Sequence, residues 1–159
     1  MDETLVRSHL TNAINGKGAH ISFDQALAGF PAPRAGERVV GIEHSMWMLV
    51  WHMRICLWDI VEFSLRADHV SPTYPEGLWP ERSAPQSESA WLREVEAFRT
   101  ELARMVELVQ DNDRDLWTPF PHGTGQTLFR EGVLVIDHNS YHIGQMVDLR
   151  MVLGEPVRD

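Results

Sequence analysis

The chain has 159 residues, 43% of them hydrophobic and 23% charged, which is enough apolar material for a buried core and argues against intrinsic disorder. Its formal charge is −9, from 14 Lys and Arg against 23 Asp and Glu. With no basic run or basic helix face, that balance repels phosphate backbones and argues against a nucleic-acid partner. The single cysteine, Cys56, rules out an internal disulfide and a cysteine-based zinc knuckle. Asp2 and Glu3 stand where a secretion signal carries basic residues. The longest apolar stretch, 46–63, contains His52, Arg54, Asp59 and Glu62, so it does not read as a membrane span. One cytoplasmic domain over 1–159, without a membrane partner, is expected.

Four segments repeat apolar residues at helical spacing, and none alternates like a strand. The first, 3–15, puts Val6, Leu10, Ala13 and Ile14 on one side and stops at Gly16. Beyond it, Ser22-Phe23-Asp24-Gln25 predicts a capped short helix ending near Gly29. A second long helix is expected over 44–66. The stretch 68–87 holds Pro72, Pro75, Pro80 and Pro85 and cannot be a regular helix. A third helix starts near Ser89, with Trp91, Val95, Phe98, Leu102, Met105 and Val109 as its apolar stripe. Its other face, with Glu88, Arg93, Glu94, Arg99, Glu101 and Arg104, reads as solvated surface. After a loop over 112–125, a fourth helix runs over 127–153, closed by Gly154 with Pro156 beyond. This inventory predicts an all-α protein, a four-helix bundle whose long connections permit crossovers.

His138 and His142 form a His-x-x-x-His pair on the fourth helix, where residues four apart lie one turn above the other on one face. On a wheel they share that face with Glu131, Leu134, Val135, Gln145 and Leu149, so the pair should point inward. Buried imidazoles need partners, and one metal ion would satisfy both rings. On the second helix, His52 falls beside Leu49, Cys56, Ile60 and Phe63, the apolar side, and supplies a candidate third ligand. Three neutral imidazoles leave positions open for water or substrate, as catalytic rather than closed structural sites do. The plainer reading, hydrogen-bonded core histidines, stays open. His44 looks like a capping or rim residue, and His9, His20, His69 and His122 like ordinary loop or helix-surface residues.

Glu131 and Gln145 are candidates for catalytic support, orienting an imidazole or a substrate polar group, or else form a polar rim. Asp137 and Asp59 turn away from the histidines on the wheel. Cys56 lies one turn from His52, placed either to join the site or to serve as a small buried hydrophobe. Imidazole ligands suit zinc, nickel, copper and iron alike; zinc is expected first, with nickel or iron compatible.

Two runs carry a family resemblance. Glu43-His44-Ser45-Met46-Trp47 through Trp51-His52-Met53-Arg54 and Trp58-Asp59 resembles the second helix of the DinB/YfiT-like family. Asp137-His138-Asn139-Ser140-Tyr141-His142-Ile143-Gly144-Gln145, with Leu149-Arg150 and Leu153-Gly154, resembles its last helix. Pro75-Glu76-Gly77-Leu78-Trp79-Pro80 is similar to a loop in one branch of that family. The likeness spans most of the chain from about residue 37. It implies a four-helix bundle with non-sequential helix order, often dimeric, and a divalent metal held by His52, His138 and His142. It also implies a small-molecule substrate. Family members with assigned activities are thiol-dependent S-transferases or isomerases using low-molecular-weight thiols; others are labelled metal-dependent hydrolases. The alternative is a non-catalytic, dimeric metal- or ligand-binding stress-response module.

A homodimer is also expected from the second helix itself. Trp47, Trp51 and Trp58, with Arg54 beside them, form a stripe almost opposite His52, and one core cannot bury both. The alternative cover is the segment 68–87 with Tyr74 and Trp79, folded back over the indoles. A second candidate contact is an outer row of Ile136, Ile143 and Val147 on the fourth helix.

Overall fold

Each helix begins at a side chain that accepts a backbone N–H, the capping chemistry that frees a chain to start helical hydrogen bonding. The computed structural model describes residues 2–157; Met1 and residues 158–159 of the expected domain lie outside it. Asp2 caps α1 (Glu3–Ile14), Ser22 caps α2 (Phe23–Leu27) and Ser45 caps α3 (Met46–Leu65). Ser87 caps α4 (Glu88–Gln110), and Thr127 caps α5 (Leu128–Val152). At α2, Ser22 and Gln25 form a reciprocal capping box. Two 3₁₀ turns, Ala32–Arg34 and Glu76–Leu78, interrupt the loops. Among the described residues the fold is all-helical, with no strand. Helix α3 starts two residues later than the wheel suggested, because Ser45 and not His44 is the cap.

Helix α3 packs against α4 and α5, and α1 packs against the same two helices. The short α2 rests on α5. The core stripe of α4 lies close to the expected one, with Trp91, Val95, Phe98, Met105 and Val109 buried and Leu102 half-buried. Helix α3 differs. Its fully buried row is Met46, Leu49, Val50, Met53, Leu57 and Val61, whereas Cys56, Ile60 and Phe63 are half-buried. The helix is apolar nearly all round, so the wheel had no polar face to orient it. His52 therefore sits on a flank of the core row, at the seam between α3 and α5. On α5, Ile143 belongs to the core and Ile136 packs against it, so the expected outer row is not exposed.

The polar face of α4 is not simply solvated. Arg54 of α3 meets Glu94 at 2.6 Å with both side chains largely covered, and Arg104 of α4 meets Glu62 of α3 at 2.6 Å. These pairs tie the two helices together along their edge. The indole stripe is half-buried within the chain. Trp58 packs edge-on against His69, and Trp47 and Trp51 line a pocket with Pro80, Arg82 and Ala84. Segment 68–87 thus covers the stripe in part, but Trp79 goes elsewhere. No helix among the described residues is long and apolar enough to cross a membrane.

Two buried arginines close the structure on itself. Arg7 donates to the carbonyls of Val109 and Asp111, at 2.7 and 2.9 Å, where α4 ends. Arg150 donates to Ala26 and Ala28 at 2.7 and 2.9 Å and to Glu155 at 2.7 Å, pinning the α2 exit and the chain beyond α5. Gly16 turns the chain after α1 with φ +71°, and a Cβ there would meet the Ser22 backbone at 2.8 Å. Removing the Arg150 guanidinium would leave three carbonyls without it in a site only 3% exposed. Arg150→Ala should cost about 2–4 kcal/mol in urea unfolding, whereas Arg99→Ala, an exposed pair with Asp24, should cost under about 1 kcal/mol.

Candidate metal centre

His52 projects from α3, and His138 and His142 project from α5, one turn apart. The structure brings all three together: one ligand nitrogen from each lies within 4.8 Å of the others. The Nε2 atoms of His52 and His138 are 3.1 Å apart. Two nitrogens bound tetrahedrally to one ion at about 2.0–2.1 Å stand about 3.3 Å apart, so this spacing suits a shared ion. A proton donated by His138 to His52 would bridge the same contact.

The outward nitrogens decide which lone pairs face in. His52 Nδ1–H donates to the Leu78 carbonyl at 2.7 Å, and His142 Nδ1–H donates to Gln145 Oε1 at 2.6 Å. Both rings are thereby held with Nε2 unprotonated, the tautomer of a metal-ligating imidazole whose other nitrogen is fixed by an outer partner. Gln145 is placed as its spacing suggested.

Leu78 and Trp79 had no assigned part in the site. The Trp79 indole stacks on His52 with ring centroids 3.9 Å apart and planes 2° from parallel, and it also stacks on His44 at 3.9 Å. The Pro-rich segment is thus a strap across the histidine face. An aromatic residue between prolines, in a stretch similar to a family loop, was the signal, and it fixes no path. Tyr141 closes another side, edge-on to His142 at 5.0 Å, and is itself 66% exposed.

The remaining candidates fall in different places. His44 is a half-buried rim residue on Trp79, with its Nδ1 buried and unpartnered. Cys56 Sγ lies 3.6 Å from His52 Nδ1, and burial pushes its thiol up to about 12. Glu131 is buried on α5, and its hydrogen bond runs to Arg130 at 2.8 Å rather than to an imidazole. Burial, and secondarily the charge of Asp59, holds its carboxyl above the usual range. Asp59 pairs with His69 at 2.6 Å, so His69 is no free surface residue. His122 donates to the Phe63 carbonyl within an aromatic cluster, whereas His9 and His20 are exposed.

No family model, curated protein or solved structure matches this chain. The class defined by fold and site is an all-helical protein with three convergent histidines able to hold a metal ion.

Burial, reinforced by the neighbouring imidazoles, lowers His138 and His142 to about 4 and lowers His52 as well. An unfolded histidine titrates near ~6.5, so as pH falls the unfolded chain takes up protons first. The stability these histidines contribute is therefore fully present above about pH 6.5 and is lost as pH falls toward about 4. For metal-free protein, the urea midpoint should drop between pH of about 7 and about 4.5, and His142→Gln should flatten part of that slope. Identical slopes for the two proteins would contradict the assignment.

Proposed function

We propose that the protein is a metal-dependent enzyme of the DinB/YfiT-like type, a four-helix bundle with crossover connections. Its divalent transition metal, zinc first, with nickel or iron compatible, is held by His52, His138 and His142. The observation that carries this reading is the convergence of the three histidines, with the outer nitrogens of His52 and His142 already committed to Leu78 and Gln145. A divalent ion bound there lowers the pKa of a coordinated water or low-molecular-weight thiol, supplying a nucleophile at neutral pH for hydrolysis or S-transfer to a small-molecule substrate.

The chain's own residues do the rest. The Leu78 carbonyl and Gln145 Oε1 hold the two Nδ1 protons outward, and burial lowers His138 and His142 to about 4, so both stay neutral well below pH 6. Trp79 covers the His52 ring face and excludes water from it. Glu131 enters as a buried carboxyl on the α5 face, held above its usual range by burial. Assembly as a homodimer belongs to the same proposal, and its support is reduced by the intrachain cover over Trp47, Trp51 and Trp58.

Metal analysis of the purified protein tests this directly. Wild type should carry about one divalent ion per chain. Alanine at His52, His138 or His142 should remove most of it, and alanine at the exposed His9 or His20 should not. Gln145→Ala and Trp79→Ala should each weaken metal affinity about 10-fold or more while leaving the ligands in place. Equal metal content across all variants would remove the site. A screen of thiol cosubstrates against electrophiles then separates the enzyme from a non-catalytic metal-binding module.

A further inference from the structure

We propose that the pocket beside the histidine cluster binds a small molecule carrying an ammonium group, and that this is the substrate class of the site. The assignment as substrate rests on the reading of the histidines as the reaction centre; the binding itself does not.

The pocket, of about 420 Å³, lies between the chain entering α3 and the C-terminal half of α5. That volume is within the range of small-molecule sites. Two of its lining residues belong to the histidine cluster's surroundings. Gln145 accepts from His142, and His44 shares the Trp79 indole with His52. A ligand in the pocket therefore lies beside the residues that border His142 on the side of its outward Nδ1. Ile42 and Leu49 give it an apolar side.

Charge sets the class. Glu43 and Asp148 line the pocket, one from each wall, and neither makes an ion pair or side-chain hydrogen bond among the described residues. Glu37 and Glu155, by contrast, are satisfied by Arg34. No Lys or Arg lines the pocket. Arg38 is near enough for its charge to act on His44, and its guanidinium donates to Met48 Sδ outside the lining. The exposed Tyr141 ring adds an aromatic surface, which attracts a cation through its quadrupole. Two unpaired carboxylates and an aromatic ring around an apolar side complement an alkylammonium and repel a carboxylate or phosphate.

The test uses choline and its uncharged isostere, in which a quaternary carbon replaces the nitrogen. The chain's two tyrosines, Tyr74 and Tyr141, provide reporter and control when labelled for nuclear magnetic resonance, since Tyr74 is outside the pocket. Choline should shift Tyr141 saturably and leave Tyr74 unmoved, with an affinity about 10-fold above the isostere. The exposed-site double variant Glu43→Gln, Asp148→Asn should abolish that difference. Equal binding of the two probes, no saturable shift at Tyr141, or a preference that survives neutralisation would each overturn the proposal. Metal content measured on the same samples reports on the histidine centre separately, so the failure of either reading is distinguishable from that of the other.

Discussion

A neutral imidazole carries one ring proton, and it must place that proton before its other nitrogen can offer a lone pair. The arrangement around His52, His138 and His142 follows from that constraint. His52 needs an acceptor on its outer side, and the strap supplies one through the Leu78 carbonyl. His142 finds its acceptor one turn further along α5, in Gln145. With those protons committed outward and the rings removed from water, the neutral forms are the stable ones, and the nitrogens face one another.

The site's place beside the core reconciles two demands. The rows that hold the fold together, Met46–Leu49–Met53–Leu57 on α3 and Val135–Met146–Leu149 on α5, are apolar and almost fully buried. The histidines occupy the neighbouring flank, deep enough to stay neutral, with a pocket beside the residues that border them. Arg7 and Arg150 bear on stability instead, each gathering backbone carbonyls from chain segments distant in sequence.

Sequence patterns revealed the parts governed by local rules. The serine, threonine and aspartate caps mark where helices start, and His138 and His142 are four residues apart on a helix whose register is unambiguous. Pairing them with His52 required only that two helices face each other. Patterns failed where tertiary contact decides. Helix α3 is apolar on nearly every side, so periodicity could not distinguish the Met53 row from the Cys56 row. Trp79 could be expected to cover the indole stripe, because proline content shows that a segment is irregular but not which face it crosses. Glu94 read as a solvent-facing charge, since its burial depends on Arg54 from another helix. Glu131 is buried as its row implied, yet its hydrogen bond goes to the adjacent Arg130, a choice the wheel does not encode.

The strap is also a loop, and loops are where related chains most readily gain, lose or exchange residues. In most helical proteins such changes leave internal chemistry untouched. Here the connection between α3 and α4 supplies the Leu78 carbonyl that sets the basicity of one imidazole and the Trp79 indole that walls it off. Lengthening or re-routing this connection would alter what the three histidines prefer to hold without replacing any of them. Divergence in chemistry can then arise in the most changeable part of the chain while the helices and their histidines stay the same.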